Sequence, residues 1–127
     1  YAFLLFSPHS LCREFYIECT CNMMRPRTIV DYERIPWILD AGTVRITFDS
    51  DVRAAIGSYD IFDPGLPAVS VLEPGKLILE VKFTEMLPQL LRDVLPPPAA
   101  EFTAVSKYVL CYEKTRYMNG FEYWYET

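Results

Sequence analysis

Two stretches of this chain alternate apolar and polar residues with period 2. In Val44-Arg45-Ile46-Thr47-Phe48-Asp49, the residues Val44, Ile46 and Phe48 oppose Arg45, Thr47 and Asp49. Further on, Leu77, Leu79, Val81 and Phe83 share one face, while Lys76, Glu80 and Lys82 share the other. Each pattern predicts a strand with one face in a core and the other on something wet. A third strand is predicted over residues 28–39, bent or weakened at Pro36, whose nitrogen has no hydrogen to give to a ladder. Asp40-Ala41-Gly42 reads as a turn, so residues 44–52 return as the second arm of a hairpin. Residues 76–84 form the next clear strand.

Helical signals flank these strands. Ser10 is placed to cap a helix over residues 11–23, which Pro26 ends. Thr84 is placed to cap another over 85–95, with Pro88 in or just past its first turn and Pro96-Pro97-Pro98 as its stop. A third helix is expected over 103–116, with Val105, Tyr108, Val109 and Tyr112 on one side. Residues 54–75 carry Gly57, Pro64, Gly65, Pro67, Pro74 and Gly75 and read as a loop with a short strand over 69–72. The aromatic tail from Tyr117 receives no assignment, and no internal repeat is visible. This order predicts an α+β fold, an antiparallel sheet with flanking helices.

Composition narrows the function classes. The 127 residues, 51% of them hydrophobic, suit a single domain, or part of one, with a real core. The net charge of −5 argues against nucleic acid, whose binders carry a basic excess. No apolar run reaches the roughly 18 residues of a membrane span. The opening Tyr1-Ala2-Phe3-Leu4-Leu5-Phe6 lacks a basic n-region, which argues against a signal peptide. A chain that starts inside an apolar element is expected to be a fragment. Cys12, Cys19, Cys21 and Cys111 offer only one close pair, Cys19-x-Cys21, and one histidine, His9, so structural zinc is disfavoured. Ordinary thiols in a reducing, cytoplasmic setting are expected, with Cys12 and Cys19 packing on one side of their helix.

The charged strand faces hold the candidate chemistry. Arg34 shares a face with Tyr32 and Val30, and across the hairpin Arg34 and Arg45 point to the same side. Two guanidinium groups at that separation repel unless an anion bridges them, and the arginine fork suits phosphate oxygens. Pairing of each arginine with a carboxylate such as Asp31, Asp49 or Glu80 would satisfy the same pattern. Glu80 and Lys82 read either as an ion pair on a solvent face, worth about 0–1 kcal/mol, or as a functional pair. In the second case Glu80 supplies an oxygen to Mg²⁺ or Mn²⁺ bridging phosphates.

Five strings in order carry a resemblance: Arg25-Pro26-Arg27-Thr28-Ile29-Val30-Asp31-Tyr32-Glu33-Arg34, Val44-Arg45-Ile46-Thr47-Phe48-Asp49, Val71-Leu72-Glu73-Pro74-Gly75, Leu79-Glu80-Val81-Lys82-Phe83 and Phe102-Thr103-Ala104-Val105-Ser106-Lys107-Tyr108. Over roughly residues 15–112 they resemble the VTC family, the polyphosphate polymerase domain of the vacuolar transporter chaperone. The resemblance implies a triphosphate tunnel metalloenzyme fold, an antiparallel β-barrel whose interior is lined by arginine, lysine and glutamate. It implies ATP and inorganic polyphosphate or triphosphate as ligands, Mn²⁺ or Mg²⁺ as cofactor, and transfer of the ATP γ-phosphate to a polyphosphate chain. Matched to the family's motifs, Arg34, Arg45 and Lys107 would act on the phosphates and Glu80 would hold the metal. Lys82, on the face of Glu80, would be a further phosphate ligand. Arg53 would be solvated, and Asp31 and Glu33 fall on the opposite strand face from Arg34. His9 lies outside the resembling stretch, as a surface residue or one leading into a helix.

The family's first tunnel strands should lie upstream of residue 1, so residues 1–127 would be a single partial domain, the C-terminal half. Lacking half the cationic lining, it would be weak or inactive alone, and its bare sheet edges predict self-association. The competing readings are a non-catalytic polyphosphate- or triphosphate-binding regulatory module, a triphosphate hydrolase of the same superfamily, and an α+β interaction domain with a charged face. A hydrolase would show an N-terminal Glu-x-Glu-x-Lys strand, and this sequence has none.

Overall fold

The computed structural model describes residues 2–118. A 3-10 turn over Ala2–Phe6 packs against helix α1, Ser10–Cys21. Strands β1, Val30–Leu39, and β2, Val44–Ala55, follow as the predicted hairpin. Two short strands, β3 (Ala68–Ser70) and β4 (Ile78–Lys82), precede helices α2, Gln89–Val94, and α3, Lys107–Thr115. The α+β reading with an antiparallel sheet therefore stands. Residues 119–127 of the aromatic tail lie outside the described residues.

Strand β2 is the hub of the sheet. It pairs with β1 along one edge and with β3 and β4 in succession along the other, all antiparallel. Between β3 and β4 the chain turns at Glu73-Pro74-Gly75-Lys76, where the Lys76 amide donates to the Glu73 carbonyl at 3.1 Å. Gly75 sits there at φ +79°, the left-handed position a type II turn requires, and proline precedes it.

The expected tunnel barrel is not formed. Among the described residues the outer edge of β1 has no partner strand, and β3 and β4 pair only with β2. Closing a barrel requires the outermost strands to pair with a consistent stagger. Here the far edge consists of two short pieces, three and five residues long. The sheet is open.

A β-bulge decides which side chains meet. Between Asp31↔Arg53 and Glu33↔Ser50 the register shifts by one residue on β2, and Asp51 takes φ 49° there. The extra residue inverts the alternation, so Val52 and Ala54 join the face of Arg45, Thr47 and Asp49. That face carries the core: Val52, Ala54 and Cys111 are buried, and Val30, Tyr32, Val69, Val71, Leu72 and Ile78 pack around them. The wet face foreseen from the alternation is thus partly the inside, with Thr47 at 3% and Asp49 at 0% exposure. Of the apolar face foreseen as core, Val44 is buried at 1% and Ile46 and Phe48 are half-buried, while Ile35 and Trp37, opposite them on β1, are 59% and 64% exposed.

Helix boundaries moved for local reasons. The helix foreseen over 85–95 starts only at Gln89, because Pro88 is its N-cap with ψ 146° and proline disfavours a helical residue before it. The helix foreseen over 103–116 starts at Lys107, because the Ser106 hydroxyl accepts the Val109 amide and ends the extended segment there. Its inward face is Lys107, Cys111 and Thr115 rather than the Tyr108 side; Tyr108 and Val109 are exposed, and Tyr108 stacks on Tyr112 at 6.0 Å. At α1, Ser10 is already helical and exposed His9 is the N-cap. Cys12 and Cys19 on this helix are half-buried free thiols.

Candidate functional site

Opposed residues in an antiparallel ladder project from the same face, so the register lays out the charged end of the inner face in rows. Arg34 on β1 stands beside Asp49 on β2 and Ile78 on β4. In the next row come Pro36, Thr47 and Glu80, and then Ile38, Arg45 and Lys82. Helix α3 crosses this face and adds Lys107. The structure brings Arg34, Lys107 and Glu80 into electrostatic range of one another and sets Arg45 directly opposite Lys82. Arg34 and Arg45 do share a face, but the row of Pro36, Thr47 and Glu80 lies between them.

Asp49 is the centre of the cluster. Its carboxylate accepts from Arg34 Nε at 2.6 Å and Nη2 at 2.7 Å, a bidentate pair, and from Lys107 Nζ at 2.6 Å. Its side chain is wholly buried, while Arg34 and Lys107 keep 34% and 19% exposure. The hydrogen bonds from Arg34 hold the Asp49 carboxyl below its ordinary value of 3.8, at about 2, with Lys107 adding to the effect against the opposing cost of burial. The same bonds push the Arg34 guanidinium further up. Tyr32 lies beneath both cations, its ring centre 5.0 Å from Arg34 Cζ and 5.2 Å from Lys107 Nζ. Of the two readings left open for Arg34, the carboxylate pairing is the one present.

The second half of the face is looser. Glu80 Oε1 meets Lys82 Nζ at 3.0 Å. That contact first, and then the charges of Lys107 and Arg34, hold the Glu80 carboxyl below its ordinary range. Arg45 is exposed and makes no ion pair among the described residues. With Thr43, Val81, Lys82, Phe83 and Thr84 it lines an open cavity of about 630 Å³ at the end of the sheet. Thr47 lies between the two halves, and its buried hydroxyl has no hydrogen-bond partner among the described residues. Thr28 Oγ1 is in the same state.

On the reverse face Arg53 pairs with Asp31 at 2.6 Å and with Asp51 at 3.5 Å, so it is ion-paired rather than simply solvated. Burial pushes the Cys111 thiol up, and it donates to the Arg53 carbonyl at 3.5 Å, which makes it a packing group and not a nucleophile. Among the described residues no group of three His, Cys, Asp or Glu side chains could hold a metal ion, and no helix is long and apolar enough to cross a membrane.

Sequence reasoning named Asp49 only as one of several partners for arginine and assigned nothing to Thr47 or Tyr32. Their alternation with Arg45 and Arg34 was visible in the strands. The register that opposes Arg34 to Asp49 was not.

The family model described as the VTC domain matches residues 7–116, a span that includes His9. No curated protein and no solved structure matches the chain.

The depressed Asp49 carboxyl sets a pH dependence. A group whose folded-state pKa is lowered stabilises the fold fully above its unfolded value, and that contribution is lost as pH falls through the folded value. Asp49 should therefore contribute about 2 kcal/mol above pH ~4, lost progressively as pH falls through ~2. Urea denaturation at stepped pH should show this loss in the wild type, and the Asp49→Asn variant should lack it. Equal acid sensitivity in both proteins would contradict the assignment.

Proposed function

The chain belongs to the VTC domain family, and on that footing we propose that its charged sheet face binds the phosphates of ATP and of an inorganic polyphosphate or triphosphate chain. It would do so with a divalent cation, as part of a polyphosphate polymerase-like domain that transfers the ATP γ-phosphate to the polyphosphate chain. The observation that carries the reading is local charge. Among the described residues of this face, Arg34, Arg45, Lys82 and Lys107 are accompanied by two carboxylates, Asp49 and Glu80, and so leave a local positive surplus on a chain of net charge −5. A concentrated cationic surface on an acidic protein draws polyanions locally despite the overall charge.

Each side chain has a part in that reading. Arg34 reaches Asp49 through Nε and Nη2, so Nη1 is left for a phosphate oxygen. Lys107 spends one of its three N–H bonds on Asp49. Arg45 and Lys82, opposite each other one row beyond Thr47 and Glu80, receive the next phosphates along the strand. For Mg²⁺ or Mn²⁺ the donor set on this face is Glu80, whose Oε1 meets Lys82 and whose Oε2 is left over, because Asp49 is committed to two cations. That set fits a small hard cation that arrives on phosphates and keeps phosphate and water ligands, rather than one caged by protein. Bound there, the ion would draw charge from the phosphate oxygens. In the transfer itself a terminal polyphosphate oxygen bonds to the γ-phosphorus as the bridge to the β-phosphate breaks and ADP leaves. The arginines and lysines hold the two chains in line and offset charge on the transferred group.

The open sheet favours a second reading, a module that binds triphosphate or polyphosphate without turning it over. A phosphate chain on this face meets cations from one side, whereas transfer needs stabilisation around the whole group. The isolated chain is accordingly weak or inactive in polymer synthesis. The outer edge of β1, which has no partner strand among the described residues, is also open to pairing with a second copy of the chain, which light scattering over a wide concentration range would reveal as a dimer; a monomer throughout would exclude it.

Binding is tested by thermal denaturation with tripolyphosphate and Mn²⁺. The melting temperature of the wild type should rise, Arg45→Ala and Glu80→Ala should each reduce the rise, and Arg13→Ala on α1 should leave it intact. Glu80→Ala should chiefly remove the part that depends on Mn²⁺. No rise in the wild type, or equal rises in all four proteins, would count against the site.

A further inference from the structure

Arg34 and Lys107 come from β1 and α3, far apart in the chain, yet both end on the same carboxylate. Two like charges this close repel, and each retains enough exposure to swing into water instead. Something fixed must hold them together before any ligand arrives. Asp49 meets that need because it cannot move aside: it has no exposed surface and lies on the central strand, with Arg34 opposite on β1 and Ile78 opposite on β4. Tyr32 gives the two cations a shared floor. One carboxylate against two cations still leaves a positive charge at the junction, and Arg34 Nη1 and two of the Lys107 N–H bonds are not spent on Asp49.

We propose that Asp49 is the positioning residue of the anion site, fixing Arg34 and Lys107 side by side so that their remaining donors converge on one phosphate group. The proposal rests on the anion-binding reading above and deepens it. Asp49 does not touch the anion and acts only through the two cations. Its own charge repels little, since it is engaged by both at 2.6 Å. What it contributes is pre-organisation: the ligand finds the donors already converged and does not have to order two long, mutually repelling side chains.

The test is calorimetric titration of the whole chain with tripolyphosphate in the presence of Mn²⁺. Asn in place of Asp49 keeps the shape and removes the charge. Asp49→Asn should weaken binding about tenfold, a change of about 1.4 kcal/mol. In a background already carrying Arg34→Ala and Lys107→Ala, the same substitution should cause no further loss, because nothing remains for Asp49 to position. A merely structural role would carry its cost into that background. Asp49→Glu keeps the charge but displaces it by one methylene, and it should bind severalfold more weakly than wild type. This gives an independent result if the Asn variant fails to fold. Unchanged or tighter binding by Asp49→Asn, a loss that persists in the double-alanine background, or wild-type affinity in Asp49→Glu would each overturn the positioning role while leaving the anion site standing. Absence of tripolyphosphate binding by the wild type would overturn both.

Discussion

A carboxylate cut off from water is tolerable only when its charge is met, and at Asp49 it is met twice, by Arg34 and by Lys107. Those two contacts tie together the three elements that matter most: β1, the central strand β2, and helix α3. Breaking one side of a buried charge pair typically costs about 3–5 kcal/mol, because the remaining charge is left stranded. The seating of α3 on the sheet and the shape of the charged face are therefore one problem with one solution. Loss of the clamp would loosen the helix and scatter the cations together.

The bulge at Asp51 is what puts this clamp beside the core. Without its extra residue, Val52 and Ala54 would point away from α3 while Asp49 still faced it, and the helix would have charge but no apolar seat. With it, the inner face changes character along the strands. It is apolar under Cys111 and charged toward Arg45, Glu80 and Lys82. Site and core share a face because one residue is out of step. The same open architecture exposes Trp37 and Ile35 behind the sheet and leaves the charged end reachable from in front.

Much of this was legible in the residues. The hairpin, the parity of Arg34 with Arg45 and the pairing of Glu80 with Lys82 on one strand face all follow from period-2 alternation, a local property. What was hidden depends on distance or on a single residue. Alternation says which side chains share a face but not which face finds a cover, so Thr47 and Asp49 were placed outside and Ile46 and Phe48 inside. Opposition of Arg34 to Asp49 depends on register, and Lys107 reaches Asp49 only through the docking of a remote helix. Pro88 and Ser106 set helix starts that hydrophobic spacing alone placed too early. The barrel came from family resemblance rather than from these strands, whose outer edges do not meet.

The most direct test is nitrogen-15 NMR of the whole chain during titration with tripolyphosphate, following backbone amides and the Arg34 Nε–H. If the charged inner face is the anion site, perturbations concentrate at Arg34, Arg45, Thr47, Glu80, Lys82 and Lys107, and the Asp31–Arg53 pair on the reverse face stays silent. Perturbations centred on that reverse pair, or on α1, with the Arg34 signal unmoved, would contradict it.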